Sequence, residues 1–385
     1  MNVAEALAAT AHSAGVSLVT HVPGFGASQT FAAWPGSPLP SYHEEVALGM
    51  ALGSGITGHP SVCLIKMHGL LKAANALVCG LSAGVTAACV ITIFDDPSGG
   101  HSDNQLPTRS LLDAFEIGVD AVDDPGQGPR VLVECLQRSQ QQGLPRILLI
   151  GSELVEQPYV GALPTEKLEV VSWSSDPVGQ LVCPLFGEYQ RTRLLSRLGQ
   201  TCAVNPPGLP ALESLPARWQ PTLQAYRPWI ESALAGGRPA FVAGDTGLSS
   251  LFGLDPYRAV DAIGWMGGSV PLALGALAGG HPSAWAVTGD FSFIAAGHLG
   301  WIEARRRRLP LRVLLFDNGC AQATGGQPVE PETLRALLNG PEVIEVSYPE
   351  QLTIDPAHPG PLLYWLRVQG GFEPDEGRRE PLPNS

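Results

Sequence analysis

Near-continuous apolar runs are the strongest constraint on how this chain can fold. Residues 89–94 (CVITIF), 146–151 (RILLIG) and 311–316 (LRVLLF) show no strict apolar/polar alternation, so neither face of such a strand suits water. Strands of this kind belong to parallel sheets covered on both faces by crossover helices. Similar strands are predicted at 17–21, 61–67, 240–244, 285–288 and 362–368. Helical spacing is predicted over 45–57, 70–84, 129–142, 267–279 and 294–308. The alternation implies an α/β fold of two domains, each a mainly parallel sheet flanked by helices. A chain of 385 residues exceeds what one core usually serves. The expected division is a first domain over 1–160, a connecting arm over 161–215, a second domain over 216–370 and a flexible tail over 371–385. The arm is assigned because it is rich in Pro, Ser, Thr and Gly and poor in periodicity.

Charge and cysteine usage exclude several classes of function. The net charge of −13 argues against nucleic acid or an anionic membrane as partner. The basic run Arg305-Arg306-Arg307-Arg308 reads as the end of a helix, where cations favour the helix dipole. The seven cysteines, at 63, 79, 89, 135, 183, 202 and 320, form no CxxC pair, so zinc and iron–sulfur sites lack support. Their dispersion suggests reduced thiols, and with no signal peptide visible the expected location is cytoplasmic. The apolar stretch 76–94 has the length of a membrane span. Its Gly, Ser and Thr content and its neighbours favour a buried helix running into a buried strand.

Two familiar patterns fail on context. Gly53-Ser54-Gly55-Ile56-Thr57-Gly58 fits the dinucleotide fingerprint, but it closes a helical pattern instead of following a strand. Gly80-Leu81-Ser82-Ala83-Gly84 fits a nucleophile elbow, but it lies late in a helical pattern. A serine hydrolase using Ser82 is kept as a remote alternative.

The segment LLFDNGCAQATGGQP, residues 314–328, is more informative. Asn318-Gly319 after an apolar run ordinarily signals a tight hairpin, yet no second alternating strand is visible after it. Upstream, Gly289-Asp290-Phe291 ends a predicted strand, and 26 residues, 292 to 317, separate Phe291 from Asn318. A carboxylate and an amide thus fall at strand ends separated by one helix, where open α/β sheets bind ligands. Oxygen donors of these types suit Mg²⁺ or Ca²⁺ beside phosphate oxygens, and the nearby glycines allow backbone amides to approach the phosphates.

Gly289-Asp290 and Asn318 resemble the diphosphate-binding signature of thiamine diphosphate enzymes, a GD(G) followed some two dozen residues later by Asn. The resemblance implies Asp290, the Asn318 side chain and the Cys320 backbone carbonyl as metal ligands. Gly289, Phe291, Ser292 and Gly319 would then contact the cofactor, with Phe291 standing where the usual motif has Gly. Gly264-Trp265-Met266 resembles the segment whose bulky apolar residue supports the bent cofactor, Met266 being that residue. Gly244-Asp245-Thr246 is similar to the start of the diphosphate-binding domain. His43-Glu44-Glu45-Val46 resembles the family's glutamate segment, with Glu44 the carboxylate that contacts the pyrimidine and activates the cofactor. The chain as a whole resembles the phosphonopyruvate and sulfopyruvate decarboxylases. Its first half is also similar to the alpha subunit of indolepyruvate:ferredoxin oxidoreductase, through Val22-Pro23-Gly24, Lys66-Met67-His68-Gly69-Leu70 and the stretch from Asp95 to Ser102.

The resemblance implies non-oxidative decarboxylation of a 2-oxo acid, to an aldehyde or with carboligation. A 2-oxo acid oxidoreductase chain needing a separate redox partner is the alternative. Thiamine diphosphate and Mg²⁺ (or Ca²⁺) are the implied cofactors. A homodimer or homotetramer is implied too, with active sites at the subunit interface. His43, His68 and His101 are candidates for proton transfer, since imidazole titrates near neutral pH. Lys66, Lys72 and Arg109 are the cations that an acidic substrate would use.

Overall fold

The computed structural model describes residues 1–103 and 105–369, which form two compact units. The tail expected over 371–385 lies outside the described residues. Among the described residues, the first unit comprises 1–174 with 192–203 and 278–281, and the second comprises 175–191, 204–277 and 282–369. The segment 161–215, expected as a connecting arm, has parts in both units.

The first unit is built on five strands, β1 (Leu18–His21), β2 (Ser61–Lys66), β3 (Cys89–Asp95), β4 (Val119–Val122) and β5 (Arg146–Gly151). All pairings are parallel, in the order β1-β2-β3-β5-β4. Helices α1 (Val3–Ala14), α2 (Ala27–Ala32), α3 (Glu44–Ile56), α4 (Met67–Lys72), α5 (Ala74–Ala83), α6 (Thr108–Asp113) and α7 (Gly128–Gln142) connect and cover the strands. Helix α1 starts with a reciprocal cap, in which the Asn2 side chain accepts from the Glu5 amide and the Glu5 carboxylate accepts from the Asn2 amide. Helix α3 is buried from Val46 to Ile56. It ends within the Gly53–Gly58 motif, which is thereby a helix C-terminus. The stretch 76–94 is α5 running into β3, and no helix among the described residues is long and apolar enough to cross a membrane.

In the second unit α8 (Pro177–Gln180), α9 (Gly187–Arg197, shared with the first unit) and α10 (Gln220–Leu234) precede a six-stranded sheet. Its strands are β6 (Phe241–Gly244), β7 (Ala262–Ile263), β8 (Ala284–Gly289), β9 (Arg312–Asp317), β12 (Val343–Val346) and β13 (Leu362–Arg367). They lie in the order β12-β13-β9-β8-β6-β7, again with every pairing parallel. A separate antiparallel pair, β10 (Cys320–Ala321) with β11 (Gln327–Pro328), follows β9 directly. Helices α11 (Ser269–Gly279), α12 (Asp290–Ser292), α13 (His298–Arg307) and α14 (Pro331–Leu337) complete the unit. The arginine run closes α13 as expected, with Arg307 paired to Glu303 and Arg308 left-handed at φ 54°. Helix α10 carries Pro228 in its interior, which is why its pattern does not read as a helix. Between α12 and α13, residues Phe293–Gly297 form a π-turn.

That π-turn packs against the loop carrying Met266. Gly267 has φ +82°, and a Cβ there would sit 2.5 Å from Gly297 N and 2.7 Å from Ala296 Cβ. Gly267→Ala is expected to destabilise the fold by about 2 kcal/mol, measurable as a lower urea midpoint.

Candidate active site

The second sheet changes direction at β6: the chain passes to β7 on one side and returns to β8 on the other. Ligands of open α/β sheets bind outside the strand C-termini at such a point. Here the ends of β6, β8 and β9 surround a cleft of about 140 Å³. Asp245, Thr246, Met266, Gly289, Asp290, Phe291, Ser292, Asn318 and Cys320 line it, together with Tyr226 from α10 and the β10–β11 turn. Met266 and Phe291 are each 39% exposed, so the cleft has an apolar surface beside its oxygens. Gly244 and Gly264 lie behind it, packed against Ser250 and Leu272 with no room for a side chain.

Asp290 organises the oxygen-rich end. Its Oδ1 accepts from the Phe291 amide at 2.6 Å. Its Oδ2 accepts from the Gly319 amide at 2.7 Å and the Asn318 amide at 3.1 Å. This brings the loop after β9 onto the end of β8, as the register pairing Gly289 with Phe316 allows. Burial, with the nearby Asp317 carboxylate adding to it, raises the Asp290 carboxyl to about 7. The backbone amides oppose the shift but do not cancel it.

The Asn318 side chain faces the same carboxylate. With its oxygen inward, it faces two acceptors, Asp290 Oδ2 and the Cys320 carbonyl, and takes only a long hydrogen bond from the Cys320 amide at 3.5 Å. Turned by 180°, its nitrogen donates to Asp290 Oδ2 at 3.3 Å and to Cys320 O at 2.9 Å, while its oxygen accepts from the Tyr226 hydroxyl at 3.1 Å. The inward oxygen thus stands 3.3 Å from Asp290 Oδ2 and 2.9 Å from the Cys320 carbonyl. That spacing is the edge of an octahedron with bonds of about 2.1 Å, the geometry of Mg²⁺.

Asp245 has a different place from the other expected contacts. It is buried, and its Oδ1 accepts from the Ser269 amide at 2.7 Å while Oδ2 accepts from the Thr288 hydroxyl at 2.5 Å. It ties β6 to α11 and β8, and burial raises its carboxyl to about 6 despite those hydrogen bonds.

The candidates of the first unit gather around the ends of β2 and β3 and the start of α3. Glu44 is the first residue of α3, after His43, whose Nδ1 accepts from the Glu45 amide at 3.3 Å and caps the helix. Glu44 Oε2 lies 2.7 Å from Lys72 Nζ but outside hydrogen-bond geometry, so its charge is paired while that oxygen accepts no hydrogen bond. Gly69 leaves space for it, since a Cβ there would sit 2.7 Å from Glu44 Cγ. His68, beside Gly69 in α4, is half-buried. His101 stacks on Phe25 with ring centroids 3.7 Å apart. Its loop is clasped to the strand ends: Lys66 Nζ donates to the His101 carbonyl at 2.9 Å and the Ser102 hydroxyl at 2.7 Å, and Asp96 accepts from the His101 amide at 2.6 Å. Burial acts to raise the Asp96 carboxyl, but the His101 amide, two serine hydroxyls and Lys66 hold it below the usual range. Arg109 pairs with Asp113 on exposed α6.

Ser82 lies inside α5, and its hydroxyl donates to the Val78 carbonyl at 3.1 Å. The strand–turn–helix context of a nucleophile elbow is absent there, which removes the basis for the serine hydrolase alternative. Asn318-Gly319 is not a hairpin turn either, although a hairpin does follow it. That turn lies at 322–326, with Gly325 at φ +115° and Gly326 at φ +71°. Tyr226 is one of the cleft residues that sequence reading missed. Its helix was hidden by Pro228, and a lone Tyr carries no motif.

Residues 245–344 match the family described as thiamine pyrophosphate enzyme, C-terminal TPP binding domain. Indolepyruvate oxidoreductase subunit IorA of Archaeoglobus fulgidus is 26% identical over 161 residues, 41% of this chain. The match spans only 26% of that relative's length. Among solved structures, Rhodococcus jostii RHA1 thiamine diphosphate-dependent 4-hydroxybenzoylformate decarboxylase has a TM-score of 0.64 at 12% identity, covering 97% of this chain and 100% of that one. Benzoylformate decarboxylase from Polynucleobacter necessarius has a TM-score of 0.65 at 12% identity, with the same coverage. At these identities the structural likeness is one of fold.

The two raised carboxyls set a pH dependence. Asp290 at about 7 and Asp245 at about 6 hold their protons more tightly in the folded chain than at the ordinary 3.8. The folded state then binds more protons than the unfolded one between these values, so stability is full below the ordinary pKa and declines as pH rises to about 7. Metal-free protein is expected to show a lower urea midpoint at pH 8 than at pH 5, and Asp290→Asn to flatten that slope.

Proposed function

We propose that the chain is a thiamine diphosphate-dependent enzyme, that this cleft binds Mg²⁺ (or Ca²⁺) with thiamine diphosphate and that the reaction is non-oxidative decarboxylation of a 2-oxo acid. The observation that carries the metal site is the Asn318 side-chain oxygen facing both Asp290 Oδ2 and the Cys320 carbonyl, two hard oxygens that cannot donate to it in that orientation. A cation there would also offset the buried Asp290 charge.

When bound, thiamine diphosphate supplies the carbon nucleophile for the 2-oxo carbonyl and the electron sink for loss of CO₂. The chain's own residues do the rest. Asp290, Asn318 and Cys320 would hold the cation beside the diphosphate. Thr246 and Ser292 offer hydroxyls at the cleft, and Met266 and Phe291 offer an apolar face to the rings. Glu44 is the carboxyl that would exchange a proton with the pyrimidine, and its Oε2, which accepts no hydrogen bond, suits that role. His43, His68 and His101 are the imidazoles available for proton transfer at the substrate. A second copy of the chain would complete each active site in a homodimer or homotetramer.

Decarboxylation is supported by the two decarboxylases of like fold, whose substrates are aryl 2-oxo acids by name. The similarity to an oxidoreductase subunit favours a second reading, in which a separate partner accepts electrons from the same 2-oxo acid chemistry.

Thiamine diphosphate plus Mg²⁺ is expected to raise the melting temperature by about 5 °C at 100 times the dissociation constant, with either alone giving little. CO₂ release from a panel of 2-oxo acids without an electron acceptor supports the first reading, and release only with an acceptor supports the second. Glu44→Gln is expected to lower turnover about a hundredfold or more and Ser82→Ala to leave it unchanged. Asn318→Ala should keep the fold and weaken Mg²⁺ at least tenfold.

A further inference from the structure

We infer that Tyr226 is a positioning residue that sets the orientation of the Asn318 amide and thereby the readiness of the site for its cation. This rests on the metal reading of the cleft given above. Tyr226 comes from α10 and is 5% exposed, with its ring against Phe316 at a centroid distance of 4.8 Å. That packing fixes the hydroxyl, which ends 3.1 Å from the outer atom of the Asn318 amide.

The amide has two states, and the hydroxyl serves both. Without a cation, the Asn318 nitrogen turns inward to Asp290 Oδ2 and the Cys320 carbonyl, and the outward oxygen accepts from Tyr226. In this state the metal donors are joined to one another and the site is closed on itself. With a cation, the oxygen must face inward, and the outward nitrogen then donates to the Tyr226 oxygen. A hydroxyl is both donor and acceptor, so it satisfies either state. Loading the site therefore needs only a half-turn of one amide, with the outer hydrogen bond remade in reverse. In the loaded state, donation to Tyr226 also polarises the amide and makes its oxygen a better ligand. A phenylalanine keeps the ring packing and serves neither state.

The test is Mg²⁺ titration of the full-length chain with saturating thiamine diphosphate, read by calorimetry, for wild type, Tyr226→Phe, Asn318→Ala and the double variant. Tyr226→Phe is expected to weaken Mg²⁺ about tenfold or more and, because the empty state also loses its outer hydrogen bond, to lower the metal-free melting temperature by about 2–4 °C. In the Asn318→Ala background the same change should have no further effect, because the group it acts through is gone. An unchanged Mg²⁺ affinity in Tyr226→Phe overturns the inference. So does an equal loss in both backgrounds, which is the mark of a general packing defect. If wild type itself binds no Mg²⁺ with thiamine diphosphate, the reading of the cleft fails first and takes this inference with it.

Discussion

The site depends on one buried carboxylate. Asp290 takes three backbone amides, its own neighbour's and two from the loop after β9, and so decides where that loop can go. Asn318 points its side chain at the cleft because its own amide is held by Asp290. The Cys320 carbonyl follows from the same turn. The arrangement is costly by itself, since a buried carboxylate lies near a second one, Asp317. Asp317 in turn is drawn the other way, accepting from Trp365 Nε1 and Arg367 Nη1, each at 2.8 Å. The strand-end region is thus a balance of negative charge held in place by amides and a guanidinium, and it suits a cation.

The first unit solves a different problem. Its candidate groups lie on loops and helix starts, and they are steadied by specific clasps. Lys66 reaches the 97–102 loop through His101 and Ser102, Asp96 takes the His101 amide, and Phe25 stacks on the imidazole. Glu44 has Gly69 beneath it and Lys72 beside it. Small residues near Glu44 leave space, and charged residues near His101 close a loop.

Much of this was legible in the residues. Apolar runs predicted the strands well, because a strand buried on both faces cannot hide its composition. The Asp290–Asn318 spacing marked two strand ends with one helix between them. Other features were not legible, each for a physical cause. Pro228 disguised α10, although the ring is tolerated there. The predicted helix over 70–84 divides at Ala73 into α4 and α5, a break that periodicity does not carry. Asn318-Gly319 satisfied the local rule for a hairpin, yet its backbone amides answer to a carboxylate 28 and 29 positions away. Asp245 lines the cleft as an expected contact would, but its two oxygens serve Ser269 and Thr288.

By itself, then, the sequence determined that two parallel sheets must form and that an acid and an amide would stand at strand ends. These follow from burial and periodicity, which are local properties of a segment. Only the tertiary structure decided that β8 and β9 are neighbours in register, so that Asp290 meets the Asn318 loop, and that Tyr226 arrives from a helix before the sheet. Strand order and helix docking are chosen by packing among distant segments. No single stretch of residues contains that choice.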